Sequence, residues 1–112
     1  MTTQYPEYYK NLQGLVGRFR NEQSDTMAGF AEMHKHAIAG AVNGKTKELI
    51  ALGMAIAVRC NGCIAYHVND ALRVGATRQE ISETIGVAVL MGRGSALMYG
   101  AEAVEQVQAA GL

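Results

Sequence analysis

The chain has 112 residues, room for one modest core and too few for two. Its ten basic and ten acidic side chains cancel, so no overall field draws in nucleic acid, an acidic membrane or a polyanionic substrate. Apolar residues make up 49%, with 13 Gly and no Trp, which favours closely packed helices over a sheet core and leaves apolar surface for partner subunits to cover.

The N-terminal stretch MTTQYPEYYK lacks the charged-then-apolar pattern of a signal peptide, and the apolar run from Leu49 to Val58 is too short to span a bilayer. A cytoplasmic protein with no nucleic-acid or membrane partner is expected. In that compartment two cysteines at C-x-x-C spacing read as redox-active or metal-binding more readily than as a structural staple.

Pro6 suits the first turn of a helix, and Tyr8, Leu12, Leu15, Val16 and Phe19 then repeat at helical spacing to about Arg20. Tyr5, Tyr8 and Tyr9 read as core aromatics in preference to an anchor on a neighbouring subunit. A second helix is expected after Ser24 or Asp25, carrying Met27, Phe30, His34, Ala37, Ile38 and Ala41 on one face and ending at Asn43-Gly44. A histidine placed like His34 is more often a packing residue than a ligand.

Thr46 is the expected N-cap of a third helix, with Glu48 in its first turn, where the helix dipole favours an acid. From Leu49 to Val58 this helix is apolar all round, the pattern of a fully buried element. Were it to continue unbroken, Glu48 would sit about 120° away from Cys60 around the axis. Arg59-Cys60-Asn61-Gly62 has the Asn and Gly that favour a break, so a turn is expected there, with a fourth helix from Asn61 to Val74 closed by Gly75. Antiparallel packing of the third and fourth helices would then return Glu48 toward His67.

Thr77-Arg78-Gln79-Glu80 is a capping box opening a fifth helix with Ile81, Ile85, Ala88 and Val89 inward, ending near Met91. After Gly92-Arg93-Gly94, Ser95 caps a sixth helix with Leu97, Met98, Ala101 and Val104 inward, closed by Gly111. No strand pattern is present. The expectation is an all-α, single-domain bundle of about six helices over residues 1–112, with N-terminal helices in 1–43 and a core in 45–100.

Cys60, Cys63 and His67 fall at relative positions 0, 3 and 7, one stripe of a helix. A thiol attacks peroxide or disulfide only as thiolate, and a free cysteine has a pKa near 8.5. Cys63 in the first turn would feel the positive end of the helix dipole, and His67 one turn on could take its proton. Cys60 is near enough to resolve an oxidised Cys63 as a disulfide. The spacing does not fix which cysteine attacks; Cys63 is favoured on the dipole and His67 arguments. Glu48, if it reaches His67, would orient the ring and raise its basicity. Tyr66 points away from this stripe, toward packing, and Arg59 reads as a solvated charge before a thiolate partner.

Other readings of the C-x-x-C fit less well. Thioredoxin-type chemistry wants a helix after a strand, and the chain's lone proline is residue 6. Zinc on Cys60, Cys63 and His67 lacks a second Cys/His pair to complete four ligands, so no metal is assigned. Two inert buried cysteines remain the plainest alternative.

Glu48, then Cys60-x-x-Cys63 and His67, followed by DALRVGATRQEISETIGVAVLMG, resembles the carboxymuconolactone decarboxylase-like superfamily, specifically its AhpD-like alkylhydroperoxidase branch. The match runs from about Lys45 to Gly100. The resemblance implies an all-helical fold assembling as a trimer or hexamer. It also implies cofactor-free peroxidase chemistry, in which Glu48 acts through His67 on the cysteine pair, a small peroxide oxidises one thiol, and a Cys60–Cys63 disulfide results. A dithiol such as a lipoylated protein would re-reduce it. In that branch a further histidine can precede the second cysteine, where this chain has Gly62; a shorter relay, or His34 entering from another helix, would replace it. Gly92-Arg93-Gly94-Ser95-Ala96 likewise departs from the Gly-Gly-x-Pro-Ala often found there. The alternative, from a different class, is a non-catalytic helical oligomer that senses redox state or holds a metal, or a thiol-disulfide oxidoreductase without peroxidase activity.

Overall fold

The computed structural model describes residues 5–110. Among these residues every regular element is helical: α1 Glu7–Glu22, α2 Ser24–Ile38, α3 Gly44–Ala57, α4 Asn61–Arg73 and α5 Arg78–Ala109. The all-α architecture expected from the sequence is present, and α5 consists of two helical arms that meet at a kink. No helix among the described residues is long and apolar enough to cross a membrane.

The kink in α5 falls where the sequence predicts a break. A straight helix of 32 residues would be about 48 Å long, more than the largest dimension of the molecule, 37 Å. The element therefore bends, and Arg93 alone, at φ 58 and ψ −136, departs from helical geometry inside it. The two arms on either side of Arg93 fold toward each other, so that a Cβ on Gly100 would come 2.6 Å from Ile85 Cγ2. No loop separates them: the expected fifth and sixth helices follow one another directly across the kink at Arg93, inside the expected Gly92-Arg93-Gly94 break.

The inner face of the second arm also differs from expectation. Leu97, Met98, Ala101 and Val104 are exposed, while Ala96, Gly100, Ala103 and Val107 are buried. Small residues let this arm nest closely on its neighbours, and that approach outweighs the burial a larger side chain could gain in the isolated chain. Gln106 supports the arm by donating from Nε2 to the Ala65 carbonyl at 2.7 Å.

The core is centred on α3, which packs mainly on α5 and α4. Leu52, Ile56, Ile64, Val68 and Ile81 are its largest fully buried side chains. The expectation that α3 is buried all round is corrected: Ile50, Met54 and Val58 face outward. α1 and α2 contain no buried residue and form an outer layer, α1 against α4 and α2 against α1 and α3. Tyr9 fixes α1 there, accepting a hydrogen bond from Asn69 Nδ2 at 3.0 Å and meeting the Tyr66 ring edge-on with centroids 5.2 Å apart. Tyr5 is buried, Tyr8 and Tyr9 half-buried.

Two helix boundaries are corrected as well. α2 ends at Ile38, five residues short of Asn43-Gly44, and Asn43 is the N-cap of α3, its Oδ1 accepting the Thr46 N–H at 2.8 Å. Thr46 is thus the third helical residue, not the cap. Lys47 Nζ donates to the Ala37 and Ala39 carbonyls at 2.9 and 2.6 Å, satisfying the end of α2 and tying it to α3.

Candidate functional site

Everything at the site depends on how α3 stops. Arg59 adopts φ 61, the Arg59 N–H donates to the Ile56 carbonyl at 3.2 Å and the Cys60 N–H to the Ala55 carbonyl at 3.1 Å. This pair of bonds is the Schellman arrangement. α4 ends in the same way, with Gly75 at φ 93 in the left-handed position and the Ala76 N–H donating to the Ala71 carbonyl. The left-handed residue between α3 and α4 is therefore Arg59, while Asn61 and Gly62 belong to the first turn of α4. Gly62 lets α1 come close there, since a Cβ would meet Leu12 Cδ2 at a tight 3.2 Å.

Cys60 is the N-cap of α4, and its Sγ accepts the Cys63 N–H at 3.1 Å. The two cysteines are joined as a disulfide, Cα to Cα 5.2 Å, with Cys63 the more exposed. Both sulfurs sit at the positive end of α4, the location that favours thiolate once the bond is reduced. With its sulfurs paired, this form offers no thiolate to a zinc ion.

The reversal at Arg59 brings Glu48 back over α4. Its Oε1 lies 3.4 Å from His67 Nδ1. Glu48 is only 3% exposed, and neither of its oxygens nor His67 Nδ1 has a hydrogen-bond partner among the described residues. Because Asn43 caps α3, Glu48 lies beyond the first turn, and the dipole explanation for an acid at this position does not hold. A buried carboxylate without hydrogen bonds is costly, and the local structure supplies no compensation apart from its neighbours on α2 and α4.

Those neighbours include one acid beyond the sequence-derived set. Asp70 follows Cys63 and His67 on the same face of α4, at +7 and +3, and that spacing was the available signal. His34, which is exposed on α2, has a ring nitrogen within 4.8 Å of carboxylate oxygens of both Glu48 and Asp70. Asp70 Oδ1 also accepts from Arg73 at 2.9 Å, which holds the guanidinium above its usual pKa range. The structure thus gathers all five sequence-derived residues, Glu48, Cys60, Cys63, His67 and His34, around one region.

That region opens into a cavity of about 570 Å³. Leu12, Leu15, Val16 and Phe19 of α1 and Met27 and Phe30 of α2 form its apolar walls, and Cys60, Cys63, His67, His34 and Asp70 line its polar side. Tyr66 also faces it; burial pushes the Tyr66 phenol up, so it stays neutral near pH 7. Arg59 is exposed and does not line it. Chemically, the arrangement can accept a small or oily molecule beside a cysteine pair that has an imidazole and a buried carboxylate behind it.

The chain is 30% identical over 105 residues to an uncharacterized protein of Cupriavidus necator, covering 93% of each. It is 42% identical over 65 residues to uncharacterized protein 4 in the cox locus of Paracoccus denitrificans, 58% of this chain and 59% of that one. Its fold superposes with a TM-score of 0.84 and 43% identity on the crystal structure of apo-lpg0406, a carboxymuconolactone decarboxylase family protein from Legionella pneumophila, over 88% of this chain and 89% of that chain. Residues 24–106 match the carboxymuconolactone decarboxylase family; the segment holds His34, Glu48, Cys60, Cys63 and His67, and the chain belongs to that family.

Proposed function

We propose that this protein is a thiol-dependent peroxidase that cycles through the Cys60–Cys63 disulfide. The observation that carries the reading is the juxtaposition of that disulfide, in the lining of a largely apolar cavity, with the Glu48–His67 pair. The family includes AhpD-like peroxidases as well as decarboxylases, and a redox-active cysteine pair favours the former.

In the reduced protein the Cys63 thiolate attacks the terminal oxygen of a small peroxide. The O–O bond breaks, the sulfur takes the hydroxyl as sulfenic acid, and the departing alkoxide is protonated by His67, leaving an alcohol. The Cys60 thiolate then attacks the Cys63 sulfur; the S–S bond forms and the hydroxyl leaves as water with a second proton. The sum is one peroxide and two thiols giving one disulfide, one alcohol and one water. Glu48, through His67, acts as a positioning residue that orients the imidazole. A dithiol reductant such as a lipoylated protein, in a reducing cytoplasmic setting, would close the cycle by exchange. No bound cofactor enters this scheme, and the exposed apolar surface of α3 and α5 supports action as a homo-oligomer.

Stopped-flow mixing of reduced protein with cumene hydroperoxide, followed by intact mass, tests the reading. Rapid consumption of one peroxide with loss of two hydrogen masses is expected, and Cys63→Ser should be inert. Glu48→Gln and His67→Ala should each slow the peroxide step by about 10²-fold or more, the usual scale of a lost acid–base group, with the oligomer unchanged. Slow oxidation at equal rates in all four proteins would leave a thiol-disulfide oxidoreductase as the better description.

A further inference from the structure

We infer that His34, Glu48 and Asp70 form a binding site for one first-row divalent transition-metal ion, bridging α2, α3 and α4. The three ligand atoms lie within 4.8 Å of one another, and donors bound to one ion at 2.0–2.2 Å sit about 3.4 Å apart at the tetrahedral angle. Side-chain rotation of roughly 1 Å closes that gap. The ligand set shares no atom with the cysteine pair.

Four features point to an ion and not to a surface cluster of acids. Glu48 is 3% exposed, its carboxylate has no hydrogen-bond partner among the described residues, and it reaches toward His34 and Asp70. A buried carboxylate flanked by one imidazole at 3.4 Å and by the Arg73 guanidinium, which is already hydrogen-bonded to Asp70, is matched better by an ion bound directly to it. The donor set, one imidazole and two carboxylates, suits zinc or manganese and disfavours magnesium, which takes few nitrogen ligands. Arg73 holds Asp70 through one carboxylate oxygen, leaving the other to ligate, which is the outer support metal-binding carboxylates normally have. His34 and Asp70 both line the cavity, so an ion has a way in. Three protein ligands leave a position open to water or a cavity ligand.

The site also accounts for α2. That helix has no buried residue, and a bond from His34 to an ion shared with α3 and α4 would fasten it. Protection of α2 is therefore a signature that mere surface adsorption would not produce.

The test is titration of ZnCl₂, and separately MnCl₂ and MgCl₂, into the untagged, disulfide-bonded protein, followed by calorimetry and by hydrogen exchange across α2. Oxidised protein removes the thiols as ligands, and binding is read without turnover, so the result is separable from the peroxidase reading. One Zn²⁺ or Mn²⁺ per chain with slowed exchange in α2 is expected, and no heat from Mg²⁺. Outer-sphere partners alone are worth about 10–100-fold in affinity, so His34→Ala, Asp70→Asn and Glu48→Gln should each weaken binding by about 100-fold or more. His34 is exposed, so that variant keeps the result interpretable if Glu48→Gln fails to fold. His36→Ala, which removes the separate surface pair of His36 with Glu32, should bind as the parent does. Absence of stoichiometric binding, binding that survives His34→Ala, or binding abolished by His36→Ala overturns the proposal.

Discussion

Glu48 and Glu80 are two acids near the starts of their helices, and their surroundings are opposite. Glu80 accepts the Thr77 N–H at 2.8 Å and Lys45 Nζ at 2.9 Å, and those bonds hold its carboxyl below the ordinary carboxylate range. Its depressed folded value means that it stabilises above the unfolded pKa and that this contribution fades as pH falls through the folded one. Denaturant titrations should therefore show Glu80→Gln less stable than the parent at pH 7, with the two curves converging below about pH 4. The side chains of Lys45 and Glu80 are each more than a third exposed, so the difference at pH 7 should be small and reduced by salt. Equal stabilities at pH 7 would mean that the capping box acts through Thr77 alone. Glu48 has no such local compensation, and its cost is what makes it a candidate for chemistry or metal binding.

At the scale of elements, α5 shows how backbone geometry and small residues work together. Arg93 takes a positive φ so that the second arm can turn back, and Gly100 gives that arm its close seat against Ile85. Gly100→Ala should cost about 1–3 kcal/mol, the usual scale of overpacking, and lower the melting temperature by several degrees. Gly86→Ala, where an added Cβ meets nothing within 4 Å, provides the control and should be neutral or slightly stabilising through helix propensity. Melting temperatures that respond equally at both positions would show that the arms do not pack as described.

For the whole molecule the governing feature is apolar surface left open by a single chain. Met54 is 63% exposed, Leu90 74% and Met91 75%. Ile50, Met54, Val87 and Met91 line an apolar groove of about 400 Å³ between α3 and α5. Surface of this kind calls for cover, and a second copy of the chain is the expected occupant. Light scattering should give a mass above the 12.0 kDa of one chain, and Met54→Glu with Leu90→Glu should shift it toward that value. A parent protein that is monomeric at micromolar concentration would remove the explanation for the apolar exposure.

The sequence by itself determined the helices and the order of the chemistry along them. Apolar periodicity, the Thr77–Glu80 capping box, Gly75 and the C-x-x-C-x-x-x-H stripe are set by neighbours a few residues apart, so they can be read without a fold. Even the break before α4 was legible, although its left-handed residue is Arg59 and not the Asn61-Gly62 pair that composition favoured. Tertiary packing alone decided the rest. How far α3 and α4 rotate about their axes, and therefore whether Glu48 meets His67, depends on the core around Leu52, Ile56 and Ile64. The meeting of His34 with Glu48 and Asp70 depends on the seating of α2, which Lys47 helps hold and no periodicity encodes. The face of the last arm that turns inward was decided by Ala96, Gly100 and Ala103, because close approach in a packed interior is a property of pairs distant in the chain.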